Sequence, residues 1–489
     1  MTKANATIVV LVILTLTLCS LCYVGKPVIM HKYTPAMRTF ITRFSNTYIG
    51  EKIAQHYYWR IVEDIPMGIG ATSDIATIGN REVIFLVTDR LFTALLAIVG
   101  FIGSVILFAI NSRERMVNIS RTKIAVSVAM VVIAGTIMRI VLAIITYGNF
   151  DMQSYDIVAN AVIKGSNVYA VTDRYNYSPV WFTVLYALMR IEPSEAWFYF
   201  LVKLFLCCVD LLTLGVLLSI ARIRRLPVVG TAIFFYLNPI SFLMTGYHGQ
   251  FDNFAMLMVL TGIYLYLRFS AGPVLRIALL WLFATAGMVI KHITFYELII
   301  CLHTSIKRYW VKLSLFAASV AIFLLSFVPY WKTGSTGIIE HVFKYGSFSG
   351  VYGLTSLVAI PQLKYLFILG MFVFPFFLKG RDIIARCLLG VLFFLTFTTG
   401  FAAQYFVLPL ALGGLRPTRL FLLYTVVVSI LILGDNNNVF MPGLHLLKLN
   451  IGWIAVICWF IAEVWADRRP AVCEIAASEK EKKRQPKRL

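Results

Sequence analysis

Carboxylate side chains stand in polar segments that separate long apolar runs of this chain. Residues 148–180 contain Asp151, and residues 246–253 contain Gln250 and Asp252. A carboxylate that is ionised near neutral pH can act as a general base and take a proton from an incoming hydroxyl group. Asp151 is our candidate for that base, and Asp252 is our candidate for holding substrate or a metal ion.

Cations, histidines and aromatic residues occur in the same set of polar segments. Positive charge stabilises the negative charge that develops on a departing phosphate group. The candidate phosphate ligands are Arg174, His248, Lys291, His292, His341 and Lys344. The candidates for stacking on a substrate ring are Tyr155, Tyr169 and Tyr177. For each of these residues alone, a role in keeping an exposed loop hydrated is the competing interpretation.

The composition indicates the elements that must position these residues. Of 489 residues, 60% are hydrophobic and 14% are charged, and the mean hydropathy is +0.82. Soluble proteins carry roughly 25% charged residues. Several apolar runs approach the roughly 20 residues that a spanning helix needs, and they are too uniformly apolar for alternating barrel strands. Because lipid cannot satisfy backbone polar groups, the sequence predicts an all-α integral membrane protein.

Basic residues recur at every second junction between the apolar runs, which the positive-inside rule places in the cytosol. The pattern predicts a polytopic bundle of about 14 transmembrane helices with both termini in the cytosol. The predicted outer-side segments are residues 24–82, 148–195, 247–253, 291–292, 331–363 and 435–445. Carboxylates and cations from distant parts of the chain therefore converge on the outer face.

The net charge of +21 follows from the same distribution. A nucleic-acid-binding protein gathers its cations in a soluble basic domain, whereas here they lie between apolar runs and in the last residues. We therefore expect the lipid bilayer, and no nucleic acid, as a partner. We divide the chain into N-terminal spans with an outer-side amphipathic segment (1–120), a transmembrane catalytic domain (121–466) and a basic cytoplasmic tail (467–489).

Ionisable residues also occur inside one apolar run. Lys203 and Asp210 lie about two helical turns apart in residues 197–220, so they share a helical face. Ionisable groups at this depth are functional by default. A pair that neutralises itself and fixes helix packing explains them equally well.

Residues 148–180 carry a series of short motifs. Asp151-x-x-x-Tyr155 is followed by Gly165-Ser166-Asn167-Val168-Tyr169 and then by Tyr177-Ser178-Pro179. This order resembles the first outer loop of GT-C fold glycosyltransferases, and above all the first mannosyltransferase of GPI-anchor assembly and its bacterial relatives. That family has D-x-D-Y near the start of the loop, then G-x-S-P-Y, then a Y-x-Y-T-P-like element.

The resemblance continues downstream. The segment from Lys203 to Asp210-Leu-Leu is similar to the family's G-K-x-x-F…D-L-L element. Asn238-Pro239 followed by Gly249-Gln250-Phe251-Asp252-Asn253 is similar to its N-P…G-N/Q-x-D element, and Gln404-Tyr405 through Pro409 to its late Q-Y-x-x-x-x-P element. Asn149 stands where the family has the first aspartate of D-x-D, and Asn176 precedes Tyr177 where the family has arginine.

The resemblance implies an inverting membrane glycosyltransferase with Asp151 as the base and Gln404 and Tyr405 near the lipid headgroup. The implied donor is a polyprenyl- or dolichyl-phosphate hexose, with mannose favoured. The implied acceptor is a hydroxyl of a glycolipid, a glycan or a protein. A divalent cation, Mg or Mn, is a possible cofactor that the departure at Asn149 leaves open.

Other functional classes compete with this interpretation. A lipid or glycolipid transporter or flippase predicts polar residues deep within several helices and helices broken near the midplane. A structural partner of a glycosyltransferase predicts tolerance to loss of Asp151. We expect a multi-pass protein of a bacterial plasma membrane, with the endoplasmic reticulum as the alternative.

Overall fold

A computed structural model describes residues 121–145, 150–191, 195–270, 272–345, 353–358, 360, 362–435 and 445–466 of this chain. Within these ranges the chain forms helices and no strand, which confirms the all-α prediction for this part of the chain. The predicted N-terminal unit, the basic tail and Asn149 lie outside the described residues.

The helices follow one another with short connections. The α-helices are α1 (Arg121–Ile145), α2 (Phe150–Ile163), α3 (Val168–Val171), α4 (Pro179–Ile191), α5 (Glu195–Ile223), α6 (Val228–Tyr236), α7 (Pro239–Phe242), α8 (Asp252–Arg268), α9 (Pro273–Ile290), α10 (Phe295–Ser305), α11 (Tyr309–Leu325), α12 (Val328–Gly337), α13 (Leu354–Leu357), α14 (Leu363–Val373), α15 (Ile383–Phe397), α16 (Leu410–Leu415), α17 (Arg419–Asp435) and α18 (His445–Ala466). The π-helical turns Leu243–Tyr247 and Ile338–Phe343 extend α7 and α12. The 3₁₀ turns are His292–Thr294, Phe374–Leu378 and Ala403–Val407.

Several helices are long and apolar enough to cross a membrane. Among the described residues these are the three segments Thr122–Ala143, Trp197–Ile223 and Pro273–Ile290, and the number rises to five if each of two bent helix pairs counts as one span. Shorter apolar helices of 10–17 residues accompany them. These helices are compatible with a membrane protein, and the count of about 14 spans remains a prediction.

The chain bends at Asn238-Pro239, inside an apolar run of the sequence. The segments Val228–Tyr236 and Pro239–Tyr247 meet at an angle of 47°. Proline lacks a backbone N–H and therefore suits the first turn of a new helix. The Asn238 side chain accepts a hydrogen bond from the Ile240 N–H at 3.1 Å and caps that helix.

Two segments that the sequence predicted as outer loops are largely helical. Asp151 lies in the first turn of α2, and α12 with its π turn occupies residues 328–343. The outer-side assignment of these segments concerns topology and stays a prediction, because polar composition reports the surroundings of a segment and does not fix its backbone conformation. Packing against neighbouring helices supplies the stability that a short polar helix lacks by itself.

A separate apolar core holds the polar segment in place. Buried side chains of α2, α3 and α4 pack there with the first turns of α5 and with Phe251, Phe327 and Ile338. Residues 150–191 are thereby fixed against α5, α8 and α12. The larger core lies among the remaining long helices.

Candidate active site

The turn before α8 connects the polar segments that the sequence singled out. Gln250 donates a hydrogen bond from Nε2 to Oδ2 of Asp151 in α2. Asp252 accepts one at Oδ2 from Nζ of Lys291, at 2.6 Å. Gln250, Asp252 and Lys291 are each at most 1% exposed, whereas Asp151 is half-buried. The structure therefore brings the two predicted carboxylates and one predicted cation into one cluster.

A glycine allows this close approach. Gly249 has a φ of +70°, a left-handed conformation that side chains with a Cβ atom disfavour. A Cβ atom there would lie 2.3 Å from Sδ of Met152. Since Met152 follows Asp151 in the first turn of α2, the missing side chain at Gly249 lets that turn reach Gln250.

Aromatic rings surround the ammonium group of Lys291. Its Nζ lies 4.6 Å from the ring centroid of Phe251, 5.3 Å from that of Tyr177 and 5.9 Å from that of Tyr405. The Phe251 ring stacks on Trp181 with a centroid distance of 4.3 Å. Desolvated cations over aromatic faces gain roughly 2 kcal/mol, so the rings and Asp252 together stabilise a buried charge.

Several buried polar atoms of this cluster have no hydrogen-bond partner among the described residues. They are Oδ1 of Asp252, Oε1 of Gln250 and the hydroxyl of Tyr155. Burial raises the pKa of Tyr155, and the charges of Asp151 and Asp252 raise it further, so the phenol stays protonated. Unsatisfied buried groups are uncommon in native proteins. A polar ligand with hydroxyl groups could satisfy all three.

Helix α12 closes over the segment that carries the tyrosines. Asn167 donates from Nδ2 to the Tyr330 carbonyl at 2.8 Å and to Thr333 Oγ1 at 2.7 Å. A Cβ atom at Gly337 would lie 1.8 Å from the Tyr169 carbonyl oxygen, so the helix and the segment meet backbone to backbone. This contact holds the tyrosine segment under α12.

Tyr169 itself supports the backbone of this segment. Its hydroxyl donates to the Tyr177 carbonyl at 2.8 Å, and its ring packs against Tyr175, Phe182, Phe327 and Tyr330. Only 2% of the residue is exposed. We therefore place Tyr177, and not Tyr169, beside the candidate site.

Some predicted phosphate ligands lie on the exposed surface. Arg174 stands 4.0 Å from the carboxylate of Asp173, and Lys344 pairs with Glu340 at 2.6 Å. His341 lies in the π turn that follows α12. Arg174 and Lys344 thus pair with acids of their own segments.

Three other predicted side chains lie beside residues of the cluster in the sequence, namely His248, His292 and Gln404. The imidazole Nε2 of His248 lies 3.3 Å from the Ile432 carbonyl oxygen in α17. Burial lowers the pKa of His292 to about 4, and the charge of Lys291 lowers it further, so this ring is neutral near pH 7. Gln404 is half-buried in the 3₁₀ turn that also carries Tyr405.

A buried ion pair beneath the cluster was missed from the sequence. The sequence left a Lys203–Asp210 pair as one of two interpretations, and the structure instead pairs Asp210 with Arg139 of α1 at 2.9 Å. The carboxylate of Asp210 accepts hydrogen bonds of 2.6 to 3.1 Å from Arg139, Ser241, Thr245 and Asn253. A lone arginine in the apolar run 124–147 was the signal that could have indicated it.

A metal site does not emerge from these side chains. Among the described residues, no group of three or more His, Cys, Asp or Glu side chains could hold a metal ion. One oxygen of Asp252 is already bonded to a cation, Lys291. The divalent cation remains a prediction, and no chemical step is assigned to it.

Comparisons of this chain with protein-family models, with curated proteins and with solved structures find no match.

Proposed function

We propose that this protein is a membrane-embedded, inverting glycosyltransferase with a GT-C-like bundle of about 14 transmembrane helices. It transfers a hexose, with mannose favoured, from a polyprenyl- or dolichyl-phosphate carrier to a hydroxyl acceptor on the outer face of the membrane. One observation carries the proposal: the turn before α8 joins Asp151, through Gln250, to the buried Asp252–Lys291 pair, beside polar atoms that lack partners among the described residues.

Asp151 is the proposed general base. The acceptor hydroxyl gives its proton to the Asp151 carboxylate while its oxygen forms a bond to C1 of the sugar. The bond from C1 to the phosphate oxygen breaks, and the lipid phosphate leaves with the bonding electrons. Attack on the face opposite the leaving group inverts the configuration at C1.

Burial supports this division of roles between the carboxylates. Asp252 is fully buried and bonded to Lys291, so its charge is committed to the ion pair. Asp151 is half-buried, so an acceptor that arrives from water can reach it. Asp252 Oδ1, Gln250 Oε1 and the Tyr155 hydroxyl are proposed to bind the sugar hydroxyl groups.

Lys291 is the proposed partner of the leaving phosphate. A preorganised cation in a site that excludes water stabilises developing negative charge more strongly than it does in water. Tyr177 and Tyr405 flank its ammonium group, which places them beside the donor headgroup. Arg174, His341 and Lys344 keep no role in this proposal.

The experiment compares Asp151→Asn with Asp156→Asn, a matched change in the same helix. Purified protein is supplied with a radiolabelled polyprenyl-phosphate mannose and a panel of acceptors. Loss of a general base lowers the rate by roughly 100- to 10,000-fold, so we expect that loss for Asp151→Asn and near-normal turnover for Asp156→Asn. Near-normal turnover by a folded Asp151→Asn variant would remove this carboxylate from the mechanism.

A transporter or flippase is the second candidate, and specific observations favour it. Arg139, Lys203 and Asp210 are fully buried in two long helices, and the chain breaks beside them at Asn238-Pro239. More buried charges are present than the sequence suggested. However, Asp210 already accepts hydrogen bonds at both oxygens, which leaves it little capacity for a transported ligand.

Reconstituted vesicles separate these two candidates. A flippase moves a fluorescent lipid-phosphate sugar between leaflets without breaking the bond to phosphate, whereas a transferase releases the lipid phosphate. If wild-type protein moves the intact donor across the bilayer and forms no glycosylated acceptor, the transporter interpretation replaces ours.

A further inference from the structure

An apolar groove lies at the far end of α10 from the candidate active site. It encloses about 60 Å³, and its lining includes Leu302, His303, Lys312, Phe316, Phe372 and Phe376. Phe372 and Phe376 are exposed, so the groove opens at the surface. His303 lies roughly 12 Å along α10 from Phe295, at 1.5 Å per helical residue, and Lys291 precedes the helix beyond a 3₁₀ turn. The groove is therefore distinct from the Asp151 cluster.

Basic side chains gather at this groove. The positive charges of Lys312, Arg386 and Lys379 all act on the His303 ring. Arg386 is fixed by its hydrogen bond to the Arg381 carbonyl at 2.8 Å. None of Lys312, Lys379 and Arg386 forms an ion pair with an acid within the described ranges. Asp382 is close enough to act on the charge of Arg386, so a net positive charge from these three side chains remains beside the apolar surface.

A buried atom of the groove also lacks a partner. Nδ1 of His303 has no hydrogen bond within the part of the chain that the structure describes. The His303 ring contacts the Phe376 ring, with centroids 4.6 Å apart. An imidazole nitrogen held between an apolar ring and the lysines can bond to a phosphate oxygen that the cations attract.

Exposed aromatic residues flank the groove. Trp310 is 76% exposed and Phe377 is 75% exposed. Tryptophan is enriched where a membrane meets water, and exposed phenylalanine suits contact with lipid. The basic residues here belong to junctions that the positive-inside rule assigns to the cytosol. This end of the helices fits the headgroup layer of the inner leaflet.

We propose that the groove binds an anionic phospholipid. Its phosphate lies among Lys312, Lys379, Arg386 and His303, and the start of one acyl chain lies against Phe316, Phe372 and Phe376. Basic pockets between transmembrane helices on the cytoplasmic side are known to favour anionic headgroups. The proposal rests on placement in a membrane and is independent of glycosyl transfer.

The test uses full-length protein in detergent micelles, titrated with dioleoylphosphatidylglycerol or dioleoylphosphatidylcholine and followed by native mass spectrometry. We expect phosphatidylglycerol to bind preferentially to wild-type protein. The double variant Lys312→Gln, Lys379→Gln should bind it about 25-fold more weakly, with each basic side chain contributing roughly five-fold. Arg386 is left unchanged because its backbone hydrogen bond helps to hold the fold.

The matched control is the double variant Arg222→Gln, Arg224→Gln. Both arginines are exposed at the end of α5, so this control removes the same number of charges outside the groove. It should retain wild-type binding. Equal weakening in both double variants, equal binding of the two lipids, or displacement of phosphatidylglycerol by millimolar inorganic phosphate would each overturn the proposal. None of these readouts depends on transferase activity, so the two proposals can fail separately.

Discussion

Replacement of Lys291 by methionine is the sharpest test of the buried cluster. Methionine is close to lysine in length and can keep contact with the Phe251, Tyr177 and Tyr405 rings. The substitution therefore removes the positive charge with little loss of packing. What remains is the Asp252 carboxylate, which is fully buried and whose partner at 2.6 Å is gone.

The expected magnitude follows from that burial. Breaking a buried ion pair by removing one partner destabilises a protein by about 3–5 kcal/mol, because the other charge is left uncompensated. Neutralising both partners avoids this penalty. We expect Lys291→Met to lower the free energy of unfolding by about 4 kcal/mol, and the double variant Asp252→Asn, Lys291→Met to recover most of that loss.

The assay measures the free energy of unfolding in mixed micelles by titration with a denaturing detergent. Lys332→Met, a change of an exposed lysine in α12, is the control and should alter stability by less than about 0.5 kcal/mol. The double-mutant cycle isolates the energy of the Asp252–Lys291 pair. An effect of Lys291→Met no larger than that of Lys332→Met would refute the argument that the pair holds the site together.

The same double variant separates stability from chemistry. If Lys291 stabilises the leaving phosphate, the double variant should fold and still transfer sugar roughly 100- to 1,000-fold more slowly than wild type. Normal transfer by this stable double variant would show that Lys291 has a structural role alone.

Further predictions concern the supports of the cluster. Gly249→Ala should destabilise the fold by about 1–3 kcal/mol more than Gly165→Ala. Both glycines have a positive φ, but only a Cβ atom at Gly249 would meet a neighbour, Met152. Equal effects of the two substitutions in a denaturant titration would contradict this prediction. The pKa of His292 is lowered from 6.5 to about 4. Its contribution to stability is therefore fully present above pH 6.5 and is lost as the pH falls towards 4, by about 3 kcal/mol. His292→Phe should remove that part of the pH dependence of the free energy of unfolding, and an unchanged pH profile would contradict this prediction. Arg139→Met should destabilise by about 3–5 kcal/mol and be largely rescued by Asp210→Asn, whereas a lack of rescue in the same titration would argue against the pair.

The sequence was informative where a physical rule acts locally. Apolar run length predicted an all-helical chain, which the described residues confirm, since lipid leaves backbone polar groups to be satisfied within helices. The positive-inside rule assigned Gln250, Asp252 and Lys291 to the same side, and the structure places them together with Asp151. Their chemical roles remain proposals.

Long-range pairing was the part that the sequence could not supply. The sequence does not indicate a functional role for Phe251, yet its ring stacks on Trp181 and lies under the Lys291 ammonium group. Conversely, Lys344 has the charge expected of a phosphate ligand, but it forms an ion pair with Glu340 on the preceding helical turn. Residue type states what a side chain can bind, and the partner depends on which helices pack together.

The buried carboxylates of Asp210 and Asp252 suggest a reason for the position of Arg139 inside an apolar run. Asn253 is the second residue of α8, and its bond to Asp210 at 2.6 Å ties that helix end to the Arg139 network. Asp252, its neighbour, keeps Oδ1 without a partner in the described residues. Asp210, whose two oxygens both accept hydrogen bonds, fixes the start of α8, and Asp252 at that start is thereby held in place. We infer that Arg139, through Asp210 and Asn253, positions the candidate site, which explains a charge that packing alone would not require.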